Sequence, residues 1–80
     1  MSTATIPRDQ RRTSFDIPSL VQLACSYSSR ITLTNSQGQF DAKSIMGMMS
    51  FDFFDQVLRI TAEGPDARAA VDALSQFIVA

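Results

Sequence analysis

Ser44 stands at a boundary where an extended segment ending in Lys43 gives way to the apolar run Ile45-Met46-Gly47-Met48-Met49. Its hydroxyl has two uses there. As an N-cap, its oxygen accepts a hydrogen bond from an amide one turn into a short helix, satisfying a donor that helix starts leave free. As a phosphoryl acceptor it would carry roughly −1.5 to −2 charges at the favourable end of the helix dipole, changing the surface field without unfolding the segment. The apolar residues divide in the same way. At ~100° per residue, Ile45, Met48 and Met49 fall within one arc and Met46 projects beyond it. One short helix cannot bury all four, so at least one large side chain should be exposed. Flexible methionines at a surface suit an adaptable protein contact, and packing onto a sheet is the plainer alternative.

The rest of the chain offers little other chemistry. It contains no histidine, no cluster of metal-ligand type, no glycine-rich phosphate loop and no acid and base sharing a helix face. The expectation is a non-enzyme with no catalytic residue, no metal, no cofactor and no small-molecule substrate. The one cysteine, Cys25, cannot form an internal disulfide; lying among Leu20, Val21, Leu23 and Ala24, it is expected to be a buried free thiol. Phe51-Asp52-Phe53-Phe54-Asp55 reads as core and edge cover, with an exposed aromatic interface as the alternative. Arg8-Asp9-Gln10-Arg11-Arg12 concentrates three of the seven basic residues and reads as a solvated loop, with an acidic partner as the alternative. Nucleic acid is not expected, because there is neither an interleaved aromatic pattern nor a basic helix.

The elements that must position these residues follow from patterning. Eighty residues are expected to form one domain, spanning 1–80, that buries roughly 60–65% of its unfolded surface around a modest core. The formal charge of −1 gives no global pull toward nucleic acid or lipid. No apolar run approaches the ~18 residues of a membrane span and no signal-peptide core is visible, so a cytoplasmic location is the default. Thr3-Ile6 is a short strand candidate closed by Pro7. From Pro18, Leu20, Val21, Leu23, Ala24 and Tyr27 recur at helical spacing, with Asp16 near the start as a cap. Arg30-Thr34 alternates as a strand, Asn35-Gly38 is turn chemistry, and Gln39-Asp41 returns as a hairpin partner. Val57-Ala62 is a further strand with Leu58, Ile60 and Ala62 on one face. Gly64-Pro65-Asp66 then opens a helix with the stripe Ala67, Ala70, Val71, Leu74, Phe77 and Ile78. This order predicts an α+β open sandwich, with Ile31, Leu33, Leu58 and Ile60 packed against Leu20, Leu23, Leu74 and Phe77.

Three passages, Leu20-Val21-Gln22-Leu23-Ala24, Asp41 to Ser50 and Ile60-Thr61-Ala62-Glu63-Gly64, resemble HPr, the histidine-containing phosphocarrier family of the bacterial sugar phosphotransferase system. The resemblance implies an open-faced sandwich: a four-stranded antiparallel sheet covered on one face by three helices. It also implies that Lys-Ser-Ile-Met-Gly surrounds the serine that a dedicated HPr kinase phosphorylates, here Ser44. By the same resemblance Lys43, Ile45, Met46 and Met49 contribute to a partner surface, for HPr kinase or a transcription regulator.

The family places a histidine at the start of the first helix, an arginine two residues later and then a proline. Without gaps, Thr13 falls at the histidine and Phe15 at the arginine. With Pro18 matched to the proline, Phe15 replaces the histidine and Ile17 the arginine. Neither register restores a phosphohistidine, and Thr13 reads as an ordinary loop or cap residue, with phosphoryl acceptance as an alternative whose ester lacks the transfer potential of a phosphoramidate. The functional expectation is a regulatory binding module of the HPr family, acting through Ser44 and its apolar neighbours without phosphohistidine transfer. The alternative is a degenerate HPr-like domain serving an unrelated protein interaction, unmodified at Ser44.

Overall fold

Alternating apolar and polar residues build four strands, described together with three helices over residues 1–79 of a computed structural model. In chain order these are β1 (Ser2–Thr5), a short 3-10 helix (Arg8–Gln10), α1 (Ile17–Cys25), β2 (Arg30–Asn35), β3 (Gly38–Asp41), α2 (Ile45–Ser50), β4 (Arg59–Glu63) and α3 (Ala67–Ile78). The strands form one sheet in the order β1-β4-β2-β3, every pair antiparallel. Its period-two alternation puts Ile31, Leu33, Ile60 and Ala62 on the face that the helices cover, and all four are fully buried. The opposite face is polar, with Thr3, Thr61 and Thr32 in one cross-strand row. This is the expected open sandwich.

The helices start as their sequences dictate. Asp16 caps α1, its carboxylate accepting from the Ser19 amide at 3.4 Å and the Ser19 hydroxyl at 2.8 Å, and Pro18 sits in the first turn. α1 buries Leu20 and Ala24, and α3 buries Ala67, Ala70, Val71, Leu74 and Ile78. Leu23 and Phe77 are half-buried at the margin of this core. Asp66 precedes α3 but makes no side-chain cap to it. Its carboxylate instead accepts from the Ser28 amide at 2.8 Å, the Ser29 amide at 2.9 Å and the Ser29 hydroxyl, fastening the α1–β2 connection to the start of α3. Gly64 allows that approach. Its φ of +144° lies where only glycine is relaxed, and a Cβ there would come within 2.6 Å of the Ser29 hydroxyl.

Two expectations are corrected. The basic stretch is not a solvated loop throughout: Arg8, Asp9 and Gln10 are exposed, whereas Arg11 is 5% exposed. Its guanidinium donates to the carbonyls of Ile6 at 3.1 Å and Phe53 at 2.8 Å, and to those of Asp55 and Gln56. The backbone there pairs with Val79 beyond α3, so the segment is clamped at both levels. Cys25, expected to be buried, is exposed. It falls on the outer side of α1, one residue past the buried Ala24. Among the described residues no helix is long and apolar enough to cross a membrane.

Candidate functional site

The turn leading into α2 is built by Asp41. Its carboxylate accepts from the Lys43 amide at 2.9 Å and its carbonyl from the Ser44 amide at 3.1 Å, which turns the chain out of β3. Ser44 is extended (φ −102°, ψ 117°), and its hydroxyl oxygen accepts from the Gly47 amide at 3.1 Å. The cap reading of this serine is therefore realised, and the hydroxyl is half-buried at the edge of the surface. Lys43 turns away from it, its ammonium donating to the Tyr27 carbonyl at 2.7 Å.

α2 inserts a single residue of its own into the core. Met48 is fully buried, while Ile45, Met46 and Met49 are 45%, 78% and 73% exposed. The arc expected to hold Ile45, Met48 and Met49 together is split. Ala42, Met48 and Phe51 anchor the segment inward, which rotates Ile45 and Met49 outward beside Met46. Lys43, Ser44, Ile45, Met46 and Met49 thus lie along one short segment, with half-buried Ser44 bordered by three exposed apolar side chains.

The start of α1 is organised differently. Phe15, directly before the Asp16 cap, stacks on Phe53 at 4.6 Å, and Phe53 meets Phe51 edge to face at 4.8 Å. Phe51 in turn meets Phe40 at 5.3 Å. Phe51 and Phe53 are core, as the aromatic run predicts, while Phe54 is exposed and tilted against Phe15 at 6.0 Å. The helix entrance presents a carboxylate that already engages the Ser19 amide. Thr13 is exposed in the loop before it, and Ile17 is half-buried.

Three carboxylate and guanidinium environments depart from ordinary titration. Burial pushes the Arg11 guanidinium down, reinforced by Arg8 and opposed by Asp55 and Asp52. The Ser36 hydroxyl, then the Val57 amide, hold the Asp55 carboxyl below the usual range. The Ser29 hydroxyl, then the Ser28 amide, do the same for Asp66. Arg11 and the Cys25 thiol, which faces the Lys43 carbonyl at 3.8 Å, are the contacts that sequence patterning missed. For Arg11 no local signal existed, because all its partners except the Ile6 carbonyl lie forty or more residues away.

Comparison with known proteins agrees with this architecture. Residues 18–80 match the family model described as PTS HPr component phosphorylation site. The phosphocarrier protein HPr of Cupriavidus necator is 37% identical over 60 residues, covering 74% of this chain and 67% of that protein. The crystal structure of HPr from Thermoanaerobacter tengcongensis superposes with a TM-score of 0.78 at 33% identity, covering 98% of this chain and 91% of that one. The Bacillus subtilis catabolite repression protein Crh, crystallised as a dimer with a swapped domain, gives a TM-score of 0.69 at 27% identity, covering 85% and 79%. A chain that shares the family's sheet, its three helices and its matched residues 18–80 belongs to the HPr family of the phosphotransferase system.

Proposed function

We propose that this HPr-family chain is a regulatory binding module that forms no phosphohistidine, is phosphorylated on Ser44, and meets protein partners through Ile45, Met46 and Met49. The observation that carries the reading is the juxtaposition at α2 of a half-buried capping hydroxyl and three exposed apolar side chains, in a chain with no histidine. The α1 entrance supports the negative half. A phosphoryl group is held at a helix start by free amides and by a nearby arginine; here the Asp16 carboxylate engages an amide, Phe15 packs into an aromatic chain, and Arg11 is turned inward to carbonyls. The likeness to a protein named for catabolite repression supports a regulatory role.

In the kinase step the Ser44 oxygen bonds the γ-phosphorus of ATP, the bond to the β-phosphate breaks with release of ADP, and the hydroxyl proton leaves to a base of the kinase. Incubation with HPr kinase and ATP, followed by intact-mass analysis, is expected to add one phosphate to the native chain and none to Ser44→Ala. Phosphate on Ser44→Ala would move the site, and phosphate on neither protein would favour an unmodified interaction domain. Enzyme I with labelled phosphoenolpyruvate is expected to leave the protein unlabelled. Acid-labile, base-stable label would overturn the loss of carrier chemistry.

A further inference from the structure

Lys43 is the cation next to Ser44 in the chain, yet its ammonium reaches back to the Tyr27 carbonyl at 2.7 Å. That carbonyl lies just beyond α1, at the end where a helix leaves acceptors unpaired and carries the negative pole of its dipole. The Lys43 backbone is held on both sides, its amide by the Asp41 carboxylate at 2.9 Å and its carbonyl by the Cys25 thiol at 3.8 Å. Only the side chain is free to choose a partner. The segment it holds continues into Ser28 and Ser29, which Asp66 ties to the start of α3.

A neutral carbonyl and a phosphoryl dianion are unequal partners for an ammonium. Bonds with charge on both sides are shorter and stronger, and a lysine's four-carbon stem rotates readily between acceptors. Arg11 is engaged by four backbone carbonyls, and Arg12 donates to the Val79 carbonyl and lies over the Phe77 ring. We propose that Lys43 is a two-position latch: in the unmodified protein its ammonium closes the end of α1 on the Tyr27 carbonyl, and phosphorylation of Ser44 draws it onto the phosphate. The Tyr27–Ser29 segment then keeps its tie to Asp66 and the bond from the Tyr27 amide to the Ala24 carbonyl, and loses the one to Lys43. One modification is thereby felt on two surfaces, the apolar patch of α2 and the exit of α1. The inference rests on the reading of Ser44 as the modified residue.

Phosphoserine installed at position 44 by chemical ligation makes the test independent of whether a kinase accepts the protein. In a phosphorus NMR titration, Lys43→Met is expected to raise the second ionisation midpoint of the phosphate by about one pH unit, as loss of an opposite charge in contact does. Lys43→Arg, which keeps the charge, is expected to restore the lower midpoint. Amide exchange at Tyr27, Ser28 and Ser29 is expected to quicken about tenfold on phosphorylation, within the usual range of coupling between sites, and exchange at Leu74 to stay unchanged. Lys43→Met without phosphate is expected to show the same quickened exchange. An unaltered phosphorus titration in Lys43→Met, or unaltered exchange at Tyr27–Ser29 on phosphorylation, would overturn the latch. If both readouts hold while HPr kinase leaves the native chain unmodified, the latch stands and the kinase assignment falls.

Discussion

Arg11 directs a planar fork of N–H donors at carbonyls from two stretches of chain, nearby Ile6 on one side and distant Phe53 to Gln56 on the other. The contacts to Ile6 and Phe53 are buried, so removal of the guanidinium leaves those two carbonyls away from water. Arg11→Met is therefore expected to lower stability by about 2–4 kcal/mol, in line with loss of charge-assisted bonds at a buried site. Arg11→Lys is expected to recover less than half of it, since one ammonium cannot reproduce the fork. Urea unfolding midpoints read both. At Asp66 the folded carboxyl titrates below its unfolded value, because the Ser29 hydroxyl and Ser28 amide favour the anion. Its contribution is complete above the unfolded value of about 3.9 and is lost as pH falls through the folded one. The gap in urea midpoint between the native protein and Asp66→Asn is thus expected to be widest at neutral pH and to close below about pH 4. Ser44 as a cap was legible from its place between Lys43 and Ile45. Arg11 was not, because a basic residue among basic residues carries no local mark of the carbonyls that fold over it.

Among the elements, α2 does the most with the least sequence, six residues of which one enters the core. Met48→Ala is expected to cost about 2–5 kcal/mol as a buried large-to-small change. Met49→Ala, on the exposed side, is expected to shift stability by no more than about 0.5 kcal/mol. Thermal unfolding of the pair separates the two faces. The connection from β4 to α3 is equally constrained, for Gly64→Ala adds a Cβ 2.8 Å from Ser29 Cα at a positive φ. A loss of about 2 kcal/mol or more is expected, read by the same melting curves. Strands and long helices were legible because each repeats its period several times, and their ends shifted by only a residue or two. β4 begins at Arg59, where Val57 was expected; the Leu58 carbonyl still accepts from the Ile6 amide, and Pro7 beyond it has no amide to carry the ladder further. The face of α2 was harder to read. Six residues give too few repeats to fix a stripe, and the neighbours Ala42 and Phe51 settle the rotation from outside the helix.

For the whole molecule, the matched stripes of α1, α3 and the sheet meet at Leu74, which is fully buried. Leu74→Ala is expected to remove about 2–5 kcal/mol, a large part of what a domain of this size possesses. An unchanged unfolding midpoint would contradict the core as described. The layered architecture was readable because sheet and helices each carry one apolar face and need the other to bury it. The strand order was not written in those faces, since alternation says which side of a strand is inward and nothing about its neighbours. That order has a consequence for synthesis. Ser2 pairs with Ala62 and Thr5 with Arg59, so β1 is made well before β4, the strand it pairs with. The β2–β3 hairpin is local and needs no later segment, whereas both pairings of β4 are long-range and wait for it. A nascent chain halted before Arg59 therefore carries a β1 whose partner strand has not yet been made.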